Sequence, residues 1–334
     1  MKIERESLLK ALETVVPGLA SERAAEGANM FQFGDGLVHT FNDETFCQAR
    51  VSLDVSASVD SATFLALIRK MPDKEVDVSE ADGKLLVSGS RRKAEFVVDS
   101  MEMRAPFDAE SLDGWEKLPD KFSDAASVVS GFASRDASAF PLVCVHLTDR
   151  WIEATDDLRI VRWPMKLGLS NPALVRYDTM KGVVGFNPVE VALDDDWLVF
   201  RREDGACLGC RRWATEYPDL SKFLDVPGGE KVGLPEEMLG AVERAGIVTD
   251  ESMDNLIQVS LRKGKAKVRG LGETARYDEV VDVKYDGPDV TFRTTPANLV
   301  SVVKDSKSCT VAEGRLKIVV DDCEMVFSTL AEED

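Results

Sequence analysis

The sequence predicts an α+β protein built from three similar rounds, each with two helices packed on antiparallel sheet. Two observations carry that prediction. Amphipathic helix signals and short alternating strand signals recur in the same order along the chain, and proline- and glycine-rich breaks separate the rounds. The clearest break is the stretch 217–248, YPDLSKFLDVPGGEKVGLPEEMLGAVERAGIV. Pro218 pushes Tyr217 out of the helical region, and Pro227, Gly228 and Gly229 interrupt the chain again. Beyond them Met238, Leu239, Val242 and Ala245 form one apolar helical stripe, with Glu236, Glu243 and Arg244 on the other side.

The first round opens with the same kind of element. Over 4–16, Leu8, Leu9, Leu12, Val15 and Val16 make a dry stripe opposite Lys10 and Thr14, and Pro17 with Gly18 ends the helix. FQFGDGLVHTF and FCQARVSLDV then read as paired strands around the turn residues Asn42 and Asp43. Asp60 or Ser61 caps a second helix, in which Phe64, Leu67, Ile68 and Met71 face inward and Arg69 and Lys70 face away. EVDVSE, KLLVSGS and KAEFVVDS continue the sheet.

Residues 101–121 read as a linker, after which the pattern restarts. A helix is expected over 123–134 with Ala125, Val128, Val129 and Phe132 dry, and it carries serines but no Lys or Arg. A short helix over 178–186 is weakened by Gly182 and Gly185, each costing about 1 kcal/mol relative to alanine. In the third round Lys263-Gly264 turns a hairpin, VVDVKY is a strand, Pro296 starts a helix at the favoured first position, and RLKIVVDD and EMVFSTL close the sheet. The rounds are roughly 110 residues each. Expected domains are 1–112, 113–222 and 223–334.

Composition narrows the function. Lys and Arg number 41 against 60 Asp and Glu, a net charge of -19, which argues against a dedicated polyanion binder unless the cations gather on one surface. The six cysteines lack framework spacing, and no long apolar run or leader pattern is present, so the expectation is reduced thiols in a soluble cytoplasmic protein. Cys207 and Cys210 form a lone CxxC in a strand-like segment; His39 and His146 offer no credible second half of a zinc site, and a structural role is expected. Asp194, Asp195 and Asp196 read as a solvated turn. No nucleophile constellation, phosphate loop or carboxylate pair is legible, so no enzyme, cofactor or metal is expected.

Four strings in order, ERESLLKAL, IEATDDLRIV, YPDLSKFL and ERAGIVTDES, resemble the first helix, the strand-and-turn, the interdomain junction and the third-domain start of the bacterial DNA polymerase III β sliding clamp family. The resemblance covers essentially the whole chain. It implies a head-to-tail homodimer, a ring of six domains with sheets outside and twelve helices lining a hole for duplex DNA. Twelve helices about 9 to 10 Å apart would leave a lumen of about 25 to 30 Å, wide enough for a duplex.

On that reading the DNA-facing residues are Lys10, Arg23, Arg69, Lys70, Arg135, Lys181, Arg244 and Lys304. A pocket for polymerase and clamp-loader peptides carries over to Thr155, Asp156, Leu158, Arg159, Ile160 and Pro218, with Lys222, Phe223, Val326 and Leu330 as walls. Phe96, Ile247 and Val248 match the family's dimer contact. Asp157 and Leu158 stand where the family has a Gly-His-like pair, and the ending AEED replaces a short apolar and basic tail, which implies service of a distinct polymerase, for instance one of a virus or mobile element. The rival readings are an acidic decoy or DNA mimic with the clamp fold, and a thiol activity at Cys207 and Cys210.

Overall fold

The computed structural model describes residues 1–20, 29–99 and 105–331, with only the backbone at Met253. The chain divides into two compact units. One comprises Met1–Gly131, Cys144–Ile152 and Met165–Thr215; the other comprises Phe132–Val143, Glu153–Pro164 and Glu216 onward.

The first unit begins with β1 (Lys2–Glu4), α1 (Arg5–Val15), β2 (Met30–Gly34), β3 (Leu37–Phe41), β4 (Thr45–Arg50), β5 (Ala57–Asp60), α2 (Ser61–Lys70), β6 (Glu75–Ala81), β7 (Lys84–Ser88) and β8 (Lys93–Val97). There follow β9 (Glu116–Lys117), α3 (Phe122–Ser130), β10 (Cys144–Leu147), β11 (Trp151–Thr155), which straddles the division, β12 (Arg159–Pro164) of the second unit, β13 (Ala173–Arg176), α4 (Tyr177–Phe186), β14 (Glu190–Leu193), β15 (Trp197–Arg201) and β16 (Cys207–Arg211). The second unit continues with α5 (Ser221–Leu224), β17 (Glu230–Gly233), α6 (Glu236–Val248), β18 (Ile257–Arg262), β19 (Lys265–Leu271), β20 (Arg276–Asp282) and β21 (Val290–Thr294). It closes with α7 (Pro296–Asp305), β22 (Ser308–Ala312), β23 (Arg315–Val320), β24 (Cys323–Ser328) and β25 (Leu330–Ala331).

In the first unit one sheet runs β1-β6-β7-β8 and another β5-β2-β3-β4-β16-β15-β14-β9. The helices pack in pairs, α1 on α2 and α3 on α4. The reason is visible in α2: the Asp60 carboxylate caps Thr63 N at 2.8 Å, while Phe64, Leu65 and Ile68 are buried and Arg69 and Lys70 are exposed. Each such apolar side chain contributes about 1.5–3 kcal/mol on burial. Phe31 and Phe33 meet the Phe64 ring edge-on at 6.3 and 5.7 Å between centroids, tying helix to sheet.

In the second unit β12-β24-β23-β22-β17 run in order, and a second sheet runs β20-β19-β18-β21-β25. Helices α6 and α7 form the third pair. Helix α6 lies so close to β19 that a Cβ at Gly270 would fall 2.1 Å from the Ala245 carbonyl oxygen. α7 starts at Pro296, with the Thr295 hydroxyl accepting from Asn298 N at 3.3 Å.

Several local expectations change. Val16 is exposed in a tight turn after α1, and Ala11 takes a place on the buried stripe. Helix α3 stops at Ser130, and Phe132 is buried from the turn beyond it. The strand expected at VVDVKY begins earlier, at Arg276. The CxxC lies on β16 as expected, and its glycine explains the motif: a Cβ at Gly209 would fall 2.2 Å from Phe107 Cε1, in a core with Phe46, Trp197 and Cys207.

Candidate nucleic-acid interface and partner pocket

The cations expected to face DNA are held in different ways. On α1 and α2, Arg69 Nε donates to Glu13 at 3.0 Å, and Lys10 stands 3.6 Å from Asp204, a carboxylate it shares with Arg202 at 3.1 Å. Lys70 is exposed and has no ion pair among the described residues. On α4, Lys181 lies over the Tyr177 ring at 5.4 Å.

In the second unit Lys304 of α7 stands 3.8 Å from Glu243 of α6. Arg244 turns to the sheet: its Nε donates to Tyr277 Oη at 2.8 Å and its Nη2 to Glu279 at 2.8 Å. Tyr277 also donates to Glu279, and these hydrogen bonds hold that carboxyl below its usual range and raise the Arg244 guanidinium. Arg135 is exposed in the loop beyond α3, which carries Asp124 and no cation. Arg23 and the last three residues of the AEED tail lie outside the described residues.

The expected pocket residues fall within the second unit. Ile160 of β12 sits directly across from Val326 of β24, and Leu220 and Leu224 cover that pair to make one buried cluster, with Tyr217 and Val226 against it. Tyr217 Oη accepts from Thr155 N at 3.1 Å. The β11–β12 turn is fixed by Asp156, which accepts from Leu158 N and Arg159 N at 3.1 and 2.7 Å and takes Arg159 Nε and Nη2 at 2.9 and 2.6 Å. Asp157 adopts φ 74°, in the left-handed region that aspartate tolerates, and this presents Leu158 with 63% exposure. Phe223 is 47% exposed, with Lys222 and Pro218 also at the surface.

Helix α5 is a single turn, too short to persist alone. Three cations fasten it. Arg162 Nη1 donates to Ser221 Oγ at 3.2 Å, Lys317 Nζ to the Leu224 carbonyl at 2.8 Å, and Arg315 Nη1 to the Asp225 carbonyl at 3.1 Å. Arg315 also lies over the Phe223 ring at 5.7 Å. Sequence reading missed all three, because their partners are tens of residues away. Leu330 does not join the cluster; it is on β25, paired with Arg293 of β21, and half exposed.

Of the expected dimer residues, Phe96 lies on the edge strand β8, and Ile247 and Val248 lie at the end of helix α6. β8 ends the four-stranded sheet and β20 ends the five-stranded one. Phe96 is half-buried on Phe64, with ring centroids 5.0 Å apart, so its neighbour Val97, 79% exposed, is the apolar tip of that edge. Ile247 is 80% exposed and Val248 half-buried at the end of α6, which packs on β20, and Val280 of β20 is 56% exposed. Val97 and Val280 went unread in the sequence.

All six cysteines are free and buried. Burial pushes the thiols up, Cys207 to about 11 and Cys144, Cys309 and Cys323 to about 12. Among the described residues no three His, Cys, Asp or Glu side chains converge to hold a metal, and no helix is long and apolar enough to cross a membrane.

No protein-family model matches the sequence, and no curated protein matches it either. Solved structures do match over nearly full length. The sliding clamp (DNA polymerase III subunit β) of Pseudomonas aeruginosa bound to griselimycin is 15% identical with a TM-score of 0.84, covering 99% of both chains. The DNA polymerase III β chain of Streptococcus pneumoniae is 14% identical at a TM-score of 0.85, and the β subunit of Thermotoga maritima 13% identical at 0.83, each covering 99% of both chains. The chain therefore has the fold of the DNA polymerase III β sliding clamps.

Proposed function

We propose that this chain is a nonenzymatic sliding clamp: two copies join head to tail into a ring around duplex DNA and tether a replicative polymerase. The carrying observation is the conjunction, in a chain with the clamp fold, of three amphipathic helix pairs, a preshaped apolar cluster at Ile160, Leu220, Leu224 and Val326, and two open strand edges tipped with Val97 and Val280. The helix pairs correspond to domains 1–112, 113–222 and 223–334. Their wet faces, with Lys10, Arg69, Lys70, Lys181 and Lys304, line the hole, and Arg23, Arg135 and Arg244 lie at its margins. The apolar cluster takes short peptides of polymerase and loader subunits, anchored by a few side chains. Phe96, Ile247 and Val248 form the joint with the second copy. An ATP-driven loader opens the ring, and the protein works in the cytoplasm.

The net charge of -19 favours one rival, an acidic decoy of the same fold that occupies clamp partners. Retention decides between them. Loaded onto a nicked circle, a ring stays until the circle is linearised and then slides off, whereas a decoy is never retained. The mass in dilute solution should be twice the 36.7 kDa of the chain, and a monomer there overturns the ring.

A further inference from the structure

The three helix pairs do not carry the same charge. In α1 and α2, the cations Arg5, Lys10, Arg69 and Lys70 exceed the anions Glu6 and Glu13 by two. In α3 and α4, Asp124 and Asp178 exceed Lys181 by one. In α6 and α7, the anions Glu236, Glu237, Glu243 and Asp305 exceed Arg244 and Lys304 by two. Side-chain geometry sharpens the difference. Lys304 is set against Glu243, and Arg244 is drawn to Glu279 and Tyr277 of β20, so the α6–α7 pair keeps Glu236 and Glu237 without an internal counter-charge from its two cations. Lys70, at the end of α2, is exposed with no ion pair among the described residues, and Lys10 shares its one carboxylate with Arg202.

We infer that phosphate attraction in this protein is concentrated on the α1–α2 pair, with Lys70 as its principal contact, and that the α6–α7 pair contributes none. The inference rests on the ring reading and adds to it an uneven lining: each chain supplies one attractive sector and one repulsive sector. An unpaired exposed cation attracts a phosphate and releases its counterion in full. A cation already set against a carboxylate must first give up that partner, so its net attraction is small. The net charge of the six paired helices is close to zero, so holding DNA falls to those few positions where cations outnumber anions.

The test uses the full-length protein and a short fluorescent duplex, whose free ends can thread a closed ring without a loader. Binding is followed against salt for the unaltered protein and for Lys70→Gln and Lys304→Gln, two exposed positions in the last turns of the second helices of their pairs. A ring binds the duplex and loses it when both ends carry bulky protein blocks. The expected result is that Lys70→Gln weakens binding about fivefold at low salt and reduces the salt slope by about two, one phosphate for each copy, whereas Lys304→Gln changes affinity less than about twofold. Equal losses at the two positions, or none at Lys70, overturn the inference while end-dependent binding keeps the ring. No binding by the unaltered protein, or binding indifferent to the end blocks, removes the ring reading and the inference with it.

Discussion

Arg162 and Glu153 form an almost fully buried ion pair, 2.7 Å between Nη2 and Oε2, with side-chain exposures of 12% and 3%. The same guanidinium reaches Ser221 at the start of α5. Removing one partner of a buried pair leaves the other charge stranded, which costs about 3–5 kcal/mol. Glu153→Gln is therefore expected to lower the denaturant midpoint markedly. Arg162→Lys keeps the charge but loses the fork, and should loosen α5 with a smaller stability loss. Denaturant titration and hydrogen exchange at 221–224 check both; unchanged exchange in Arg162→Lys would show that the guanidinium does not hold the helix.

The apolar cluster separates stability from recognition. Leu224 is buried, so Leu224→Ala should cost about 2–5 kcal/mol. Leu158 and Phe223 are largely exposed, so Leu158→Ser and Phe223→Ser should change stability by no more than about 0.5 kcal/mol. If the cluster takes partner peptides as proposed, the same two variants lose affinity at least tenfold for polymerase or clamp-loader tail peptides when titrated by calorimetry. Undiminished affinity in both would place the binding surface elsewhere.

The sheet edges predict self-association. If two copies join as proposed, Val97→Asp and Ile247→Asp, which place charges on exposed apolar side chains, should leave each chain folded while converting dimer to monomer in sedimentation. Persistent dimers in both variants would exclude these edges as the joint.

Asp278 and Glu95 give a pH dependence with a definite sign. Hydrogen bonds from Arg269, Arg276 and Lys267 hold Asp278 well below the ordinary carboxylate range, and those from Lys84 and Lys93 bring Glu95 down to about 2. A carboxylate depressed on folding stabilises the folded chain above its unfolded pKa, and that contribution fades as pH falls through the folded value. Stability should decline from about pH 4 towards pH 2, and Asp278→Asn should flatten part of that decline in denaturation series. An unaltered slope in the variant would assign the acid sensitivity to other groups.

What the sequence disclosed was whatever depends on neighbours in the chain. The Asp60 cap, the Thr295-Pro296 start and the Lys263-Gly264 turn are local chemistry, and each is where its residues place it. Helix α4 forms despite Gly182 and Gly185 because Met180, Val183 and Phe186 are buried, so packing outweighs propensity. Strands of three or four residues such as β1, β13 and β17 are too short to show a period and are fixed by pairing with distant partners. In the candidate site the residue types were legible, but not their commitments. Arg244 has a wet-face position in the helix pattern, yet its partner Glu279 is on a strand that only folding brings near. Leu330 follows β24 in sequence, but after Thr329 it pairs in another sheet.

The edge strands β8 and β20 are different surfaces, so copies that join through them do so nose to tail. Such a union has no intrinsic end: it stops when the arc of the joined chains returns on itself, and otherwise continues as a filament. If copies join as proposed, closure alone limits the assembly, and a variant that fails to close would form fibres of well-folded subunits.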